Sequence, residues 1–331
     1  MGLGYSELNL DLSNTKSFDE IIEKVKASTN KTPAGNWIIG RGWHQSKWTS
    51  QPQEIINGFP IHQALSTKSP DHPVVLFHAS GHALFANAKA MEIAGIGPLN
   101  QELGGKREIT GGEVIRDRNG NPTGIFNENA MDLISKHIPE SSDENDLLAF
   151  NLAQEACLRN GITSFHDAGV GRETLAFYQK MEASGKLKIR MYAMLNGNDN
   201  ALLKEWYEKG PKTDSWLSIR SIKLSADGAL GSRGAWLLEE YSDRHGHYGH
   251  ETIPMEMVFK TAINSIKYGF QLATHAIGDR ANREVLDQYE KALSEENALN
   301  ADHRFRIEHA QHLHPDDIPR FASLGVIPSM Q

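Results

Sequence analysis

The stretch Arg220-Ser-Ile-Lys223-Leu-Ser-Ala-Asp227-Gly-Ala-Leu-Gly-Ser-Arg233 decides how the rest of the chain is read. It begins as a buried strand, sets Lys223 where its neighbours predict an aliphatic residue, and breaks into a glycine-rich turn. An unpaired ammonium is costly to bury, so a lysine in such a place shifts its pKa or finds a partner. Two later stretches repeat the shape with histidine: Phe270-Gln-Leu-Ala-Thr-His275-Ala-Ile-Gly278 and Phe305-Arg-Ile-Glu308-His309-Ala-Gln311. Each is a short apolar strand that ends in one side chain able to meet a metal. The reading is that Lys223, His275 and His309 converge at one end of a parallel sheet.

Outward from these strands, a rhythm of helix, glycine and strand runs from about Asp143 to the last residue. Helical stretches at 147–159, 172–183, 255–268 and 315–324 stop near Gly161, Gly185, Gly269 and Gly325. Glycine just past a helix end supplies the left-handed cap that turns the chain into the next strand. Six strands follow from this pattern, at 162–167, 188–195, 220–226, 270–276, 304–310 and 326–330. Mostly apolar strands alternating with helices predict an α/β fold with a parallel sheet covered by helices. Six βα units make up most of a TIM-type (β/α)8 barrel, here incomplete. A doubly wound dinucleotide fold has little support, because no Gly-x-Gly-x-x-Gly follows a first strand.

Upstream the pattern differs. Trp37–Trp43 and Pro73–His78 read as strands, 87–94 as a short helix, and Asn119-Gly120 as a hairpin turn. Three parts are therefore expected: an N-terminal segment, 1–34, packing on the barrel; an inserted β-containing subdomain, 35–140; and a partial barrel, 141–331. Ser17 and Glu20 form a capping box for a helix in the first part. The chain opens without a matching strand and ends at Gln331 just after the sixth, which predicts two exposed sheet edges that a second copy would cover.

Composition narrows the function. A net charge of −8 with no dense basic cluster argues against a nucleic-acid partner. No apolar run approaches the roughly 18 residues that span a bilayer, so no membrane role is expected. A single cysteine, Cys157, excludes an internal disulfide and fits a reducing, cytoplasmic setting. The expected partner is a small-molecule substrate.

The carboxyl ends of barrel strands are where ligands gather. That face holds His166, Asp167, Lys223, Asp227, His275, Asp279, Glu308, His309 and Gln311. Imidazoles favour zinc, iron or nickel, and a divalent ion, zinc first, is the expected cofactor. Lys223 can join as a ligand only when deprotonated or modified, for example as a carbamate. Lone strand-end histidines are commonly structural; it is the set of three on successive strands that points to a metal. Asp227 either meets substrate or forms an Asx turn with Gly228, and Asp279 reads best as the N-cap of a helix over 280–293. His166, Asp167, Asp279, Glu308 and Gln311 are placed as supports around the ligands. Upstream, His82 in Gly81-His-Ala reads as a substrate contact or a satisfied loop histidine. Trp43, Gln45 and Trp48 read as pocket lining, or the tryptophans as subdomain core, and His245, His247 and His250 as a metal tract or a solvated loop. Trp43, Asp227 and Arg233 are counted with His82 as substrate-binding candidates.

Taken together, Lys223 in Ile-Lys-Leu-Ser-Ala-Asp-Gly-Ala-Leu-Gly-Ser-Arg, Thr274-His-Ala-Ile-Gly-Asp-Arg-Ala-Asn282 and Arg306-Ile-Glu-His-Ala-Gln-His312 resemble the amidohydrolase superfamily, in its YtcJ-like branch. Gly40-Arg-Gly-Trp-His-Gln-Ser-Lys-Trp48, Ser80-Gly-His-Ala-Leu-Phe-Ala-Asn87 and Gly161-Ile-Thr-Ser-Phe-His-Asp-Ala-Gly169 are similar to that branch too. The resemblance implies a metal-dependent barrel beside a small β-sandwich, hydrolysis of amide or formamide C–N bonds, a carbamylated Lys223, and His275 and His309 as ligands. It also implies a His-x-His pair on a first strand and an aspartate on an eighth. Neither has a counterpart here, so weak metal binding and little activity are expected of residues 1–331. Two rival readings are a metal-free glycosidase-like barrel pairing Glu308 with Asp167 or Asp227, and a non-catalytic binding or assembly module.

Overall fold

A computed structural model describes residues 1–98 and 109–330. The chain divides into two compact units, Gly2–Phe150 and Asn151–Gln331 with Met1, and the division falls inside the helix Asp143–Arg159.

The first unit is built on a mixed six-stranded sheet. Its strands are β1 (Leu10–Asp11), β2 (Ile38–Trp43), β3 (Val74–His78), β4 (Ala83–Ala86), β5 (Gly112–Arg116) and β6 (Pro122–Glu128), in the order β1-β2-β3-β4-β6-β5. The hairpin β5–β6 turns at Asn119-Gly120, with Gly120 at φ +81°, as the sequence pattern expects. Side-chain alternation sorts this sheet into two cores. Val74, Leu76, Phe85, Ile115 and Ile125 pack on one face with Trp43 and Phe59. Val75, Leu84, Ala86 and Phe126 pack on the other with Met91 and Ile134. Period-two alternation with both faces apolar means that both faces are covered. The helix Phe18–Thr29 covers the first with Phe18, Ile21, Ile22 and Val25. Residues 2–34 thus belong to this unit, β1 pairing in parallel with β2, and do not count with the barrel-like strands. Ser17 caps that helix through the Glu20 N–H at 3.2 Å, while the Glu20 carboxylate reaches back to Lys16 N at 2.7 Å instead of to the cap residue.

The second unit is a parallel sheet in strict chain order: β7 (Ser164–Val170), β8 (Arg190–Asn196), β9 (Leu217–Ser225), β10 (Gln271–Ala276), β11 (Arg306–His309) and β12 (Ile327–Ser329). All six expected strands form, each boundary within three residues of its expected place. The sheet is open, a half-barrel: β7 pairs only with β8, β12 only with β11, and a closed barrel does not form among the described residues. Gly269 and Gly325 end their helices in the left-handed conformation, at φ +77° and +66°.

Tyr289, in the helix Asp279–Glu295, donates its hydroxyl to Thr274 Oγ1 at 2.8 Å, so Thr274 faces the helical layer and His275 the opposite face. Register carries this across neighbouring strands. Lys223 pairs with Ala273, Ser225 with His275, and His275 with Glu308, so Lys223, His275 and Glu308 share the face away from the helices.

Candidate metal and hydrolytic site

Lys223, His275 and His309 lie on three adjacent parallel strands, near or at their carboxyl ends. The His275 and His309 rings meet edge to face with centroids 4.5 Å apart. Register alone would not bring them together, since His309 pairs with Ala276 and so belongs to the helix-side parity. His309 escapes it by adopting φ +75°, followed by Ala310 at φ +41°. Two successive non-glycine residues in the left-handed region are uncommon and strained, which is characteristic of functional sites.

Asp227 organises the turn behind these side chains. It is fully buried, and its Oδ1 accepts the Ile277 N–H at 2.9 Å while Oδ2 accepts those of Gly278 at 2.8 Å and Trp236 at 2.9 Å. The His275 Nε2 lies 3.2 Å from the Gly228 carbonyl and 3.3 Å from Asp227 Oδ1. Two acceptors at one ring nitrogen place the proton there, leaving the lone pair on Nδ1. Asp227 is therefore a clamp on backbone and on His275 rather than the substrate contact expected of it.

Lys223 is half-buried and donates Nζ to the Leu224 carbonyl at 2.8 Å. Loss of hydration pushes its pKa down to about 8; the Glu308 and Asp227 carboxylates pull it up, and Arg306 pushes it further down. Glu308 is held by Arg306 Nε at 2.7 Å. Arg306 is a residue the sequence reading passed over. Its signal was the i, i+2 spacing from Glu308, which puts both on one face of a strand. Tyr192 was also missed: its hydroxyl donates to Gln271 Oε1 at 2.6 Å, and its ring stacks on His166 at 4.6 Å.

Other candidates fall elsewhere. Asp167 turns to the helical layer, where the Tyr178 hydroxyl and the Met1 ammonium contact it. Asp279 is not a cap: Gly278 is the N-cap residue, and Asp279 Oδ1 accepts from Leu238 N at 2.9 Å, tying down the loop before the helix. Gln311 is exposed. Arg233, at φ +59°, forms an ion pair of 2.6 Å with Asp243. In the first unit Trp43 is 1% exposed and gives its indole N–H to the Leu76 carbonyl at 2.9 Å, so it is a core residue. His82 is the exception upstream, a partly exposed side chain whose Nδ1 lies 2.7 Å from Glu128 Oε2.

The donors fit a divalent ion in part. The two imidazoles suit one, and Lys223 does so once its nitrogen is neutral or carboxylated. Their number falls short, because no group of three His, Cys, Asp or Glu able to hold an ion forms among the described residues. The carboxylates required by a glycosidase are otherwise engaged: Asp227 by amides, Glu308 by Arg306, Asp167 on the helix side.

Comparison with known proteins gives the family. The pattern of the amidohydrolase family matches residues 1–331. The chain is 31% identical to Protein LONG AFTER FAR-RED 3 of Arabidopsis thaliana over 339 residues, covering 99% of this chain and 56% of that protein. It is 29% identical to the putative amidohydrolase YtcJ of Bacillus subtilis, covering 100% and 60%, and 27% identical to the N-substituted formamide deformylase of Arthrobacter pascens, covering 94% and 56%. The crystal structure of an uncharacterized metal-dependent hydrolase from Pyrococcus horikoshii superposes with a TM-score of 0.69 at 27% identity, over 100% of this chain and 60% of that one. The chain thus spans little more than half the length of these relatives. Matched along its whole length, and with Lys223, His275 and His309 on neighbouring strands, the chain belongs to the amidohydrolase family.

Proposed function

We propose that this chain is a metal-dependent hydrolase that cleaves amide or formamide C–N bonds in small molecules. On this reading Lys223, His275 and His309 are ligands, zinc is the ion, the enzyme is cytoplasmic, and the six strands are part of a (β/α)8 barrel. The observation that carries it is the edge-to-face contact of His275 and His309 beside a lysine of lowered pKa on the next strand. A divalent ion bound there would polarise a carbonyl and acidify water.

The residues of the chain prepare that site. With its pKa near 8, about a quarter of Lys223 is neutral at pH 7.5, against about one part in a thousand for an ordinary lysine. The neutral amine adds to carbon dioxide, forming an N–C bond and releasing one proton, and the resulting carbamate carries one negative charge shared by two oxygens. His275, its Nε2 proton held by Gly228 and Asp227, offers Nδ1. His82 of the first unit is a proposed substrate contact. The similarity to an N-substituted formamide deformylase favours formamides among C–N substrates.

Zinc titration in bicarbonate buffer, followed by formate release from N-formyl amines, tests the assignment. Metal uptake should fall at least about tenfold in His275→Ala and Lys223→Ala, and any turnover should fall with it. Uptake indifferent to both substitutions would overturn it.

A further inference from the structure

Strands β8 and β9 fall out of step once. Ala193 pairs with Ile219 and Met194 with Ser221, so Arg220 is an extra residue in β9, opposed by nothing across the ladder. Bulges are rare between parallel strands, and they re-aim a side chain. Arg220 is exposed, and among the described residues its side chain makes no hydrogen bond or ion pair. With Arg304, Arg306, His166, Tyr192 and Gln271 it lines a cleft of about 340 Å3, and no described Asp or Glu lines it. Gln271 and Arg306 open β10 and β11, so the cleft lies at the amino-terminal ends of the strands.

The three guanidiniums converge on one point. Burial pushes the pKa of the Tyr192 hydroxyl up, and Arg220, Arg306 and Arg304 each pull it down. Arg306 is the inner one, 13% exposed, and its donors are poorly served. Its Nε reaches the Glu308 carboxylate at 2.7 Å, but one terminal nitrogen lies 3.5 Å from His166 Nδ1 and the other 3.7 Å from the Met194 sulfur. A thioether is a weak acceptor, and a guanidinium has five N–H groups to place. Arg304, at φ +50°, pairs with the exposed Asp302 through Nε at 2.9 Å and Nη2 at 2.8 Å. Two carboxylates thus serve three cations, and an anionic oxygen is the acceptor that completes the set.

We propose that this cleft binds a small oxyanion, a phosphate or carboxylate group, through Arg220 and Arg304 with Arg306 behind them. The site is separate from the hydrolytic one, since Gln271 precedes His275 by four residues on β10, about 13 Å along a strand. Its volume is near the lower end for ligand sites, which suits one small ion rather than a bulky molecule. An anion held there ties β9 to the segment before β11, and its binding stabilises the open sheet.

The test is calorimetric titration of the metal-free chain with sodium phosphate, and separately with sodium acetate, in about 0.15 M sodium chloride to screen non-specific attraction. Saturable binding of a single ion per chain is expected. It should weaken at least about fivefold in Arg220→Gln and in Arg304→Gln, each of which loses a charge-assisted hydrogen bond. Both side chains are exposed, so both variants should fold. Lys223→Met, nearer the carboxyl ends of the strands, should bind as the wild type does. Tighter binding of phosphate than of acetate assigns a phosphate group, and the reverse assigns a carboxylate. No saturable binding of either ion, binding that survives in both arginine variants, or binding lost in Lys223→Met would overturn the proposal.

Discussion

Replacing Lys223 with methionine removes an ammonium that the fold holds at a cost. Its pKa falls from 10.5 to about 8, first through loss of hydration. At about 1.36 kcal/mol per pH unit, the drop corresponds to about 3 kcal/mol against the charged form. Water reaching the half-buried side chain screens this to about 2 kcal/mol. Methionine gives up the Nζ bond to Leu224 O, about 1 kcal/mol. The net expectation at pH 7 is a variant more stable by about 1 kcal/mol, or about 2–4 °C in Tm. The sign of the pH dependence follows from linkage. A lysine whose folded pKa lies below its unfolded value carries its full penalty below about pH 8 and loses it as pH rises towards 10.5. The advantage of methionine should therefore be present at pH 7 and largely gone at pH 10. Thermal unfolding followed by circular dichroism, in buffer free of metal and carbon dioxide, measures both. A variant less stable than wild type at pH 7, or an advantage unchanged at pH 10, would refute the reasoning.

Asp227→Ala leaves the amides of Trp236, Ile277 and Gly278 without their carboxylate, and should cost at least about 3 kcal/mol in a urea melt, with Asp227→Asn costing about half as much. Gly278→Ala would set a Cβ 2.0 Å from the Trp236 carbonyl oxygen, a backbone atom that cannot step aside; a loss of about 1–3 kcal/mol together with weaker zinc uptake is expected, and unchanged uptake would separate this turn from the site. Trp43→Phe should lower stability and leave KM unaltered, because the indole sits in the core and bonds Leu76; a raised KM would restore the tryptophan as a substrate contact.

The parallel sheet was legible because its signals are local. Glycines such as Gly269 and Gly325 end helices in a conformation that other residues resist, and apolar runs follow at once. The alternation that places Lys223, His275 and Glu308 on one face is likewise written in the sequence. What was not legible depended on neighbours distant in sequence or on backbone angles. No pattern in Arg306–Ala310 announces the left-handed turn at His309 that brings its ring to His275. Asp279 looked like a cap because aspartate so often is one, yet the amide of Leu238, 41 residues away, takes its carboxylate. Trp43 shares its stretch with Gln45 and Trp48, residues suited to line a pocket, and only the packing of sheet against helix shows it enclosed. The partnership of Arg306 with Glu308 and Lys223 emerges once three strands lie side by side.

One carboxylate, Asp227, gathers amides from the segment after β9 and from the segment after β10. The two connections are therefore yoked, and neither can drift without dragging the other and the imidazole between them. Evolution of a new specificity would find this hinge stiff. Variation is better sought away from the amides that Asp227 holds, where a side chain can change while the yoke stays closed.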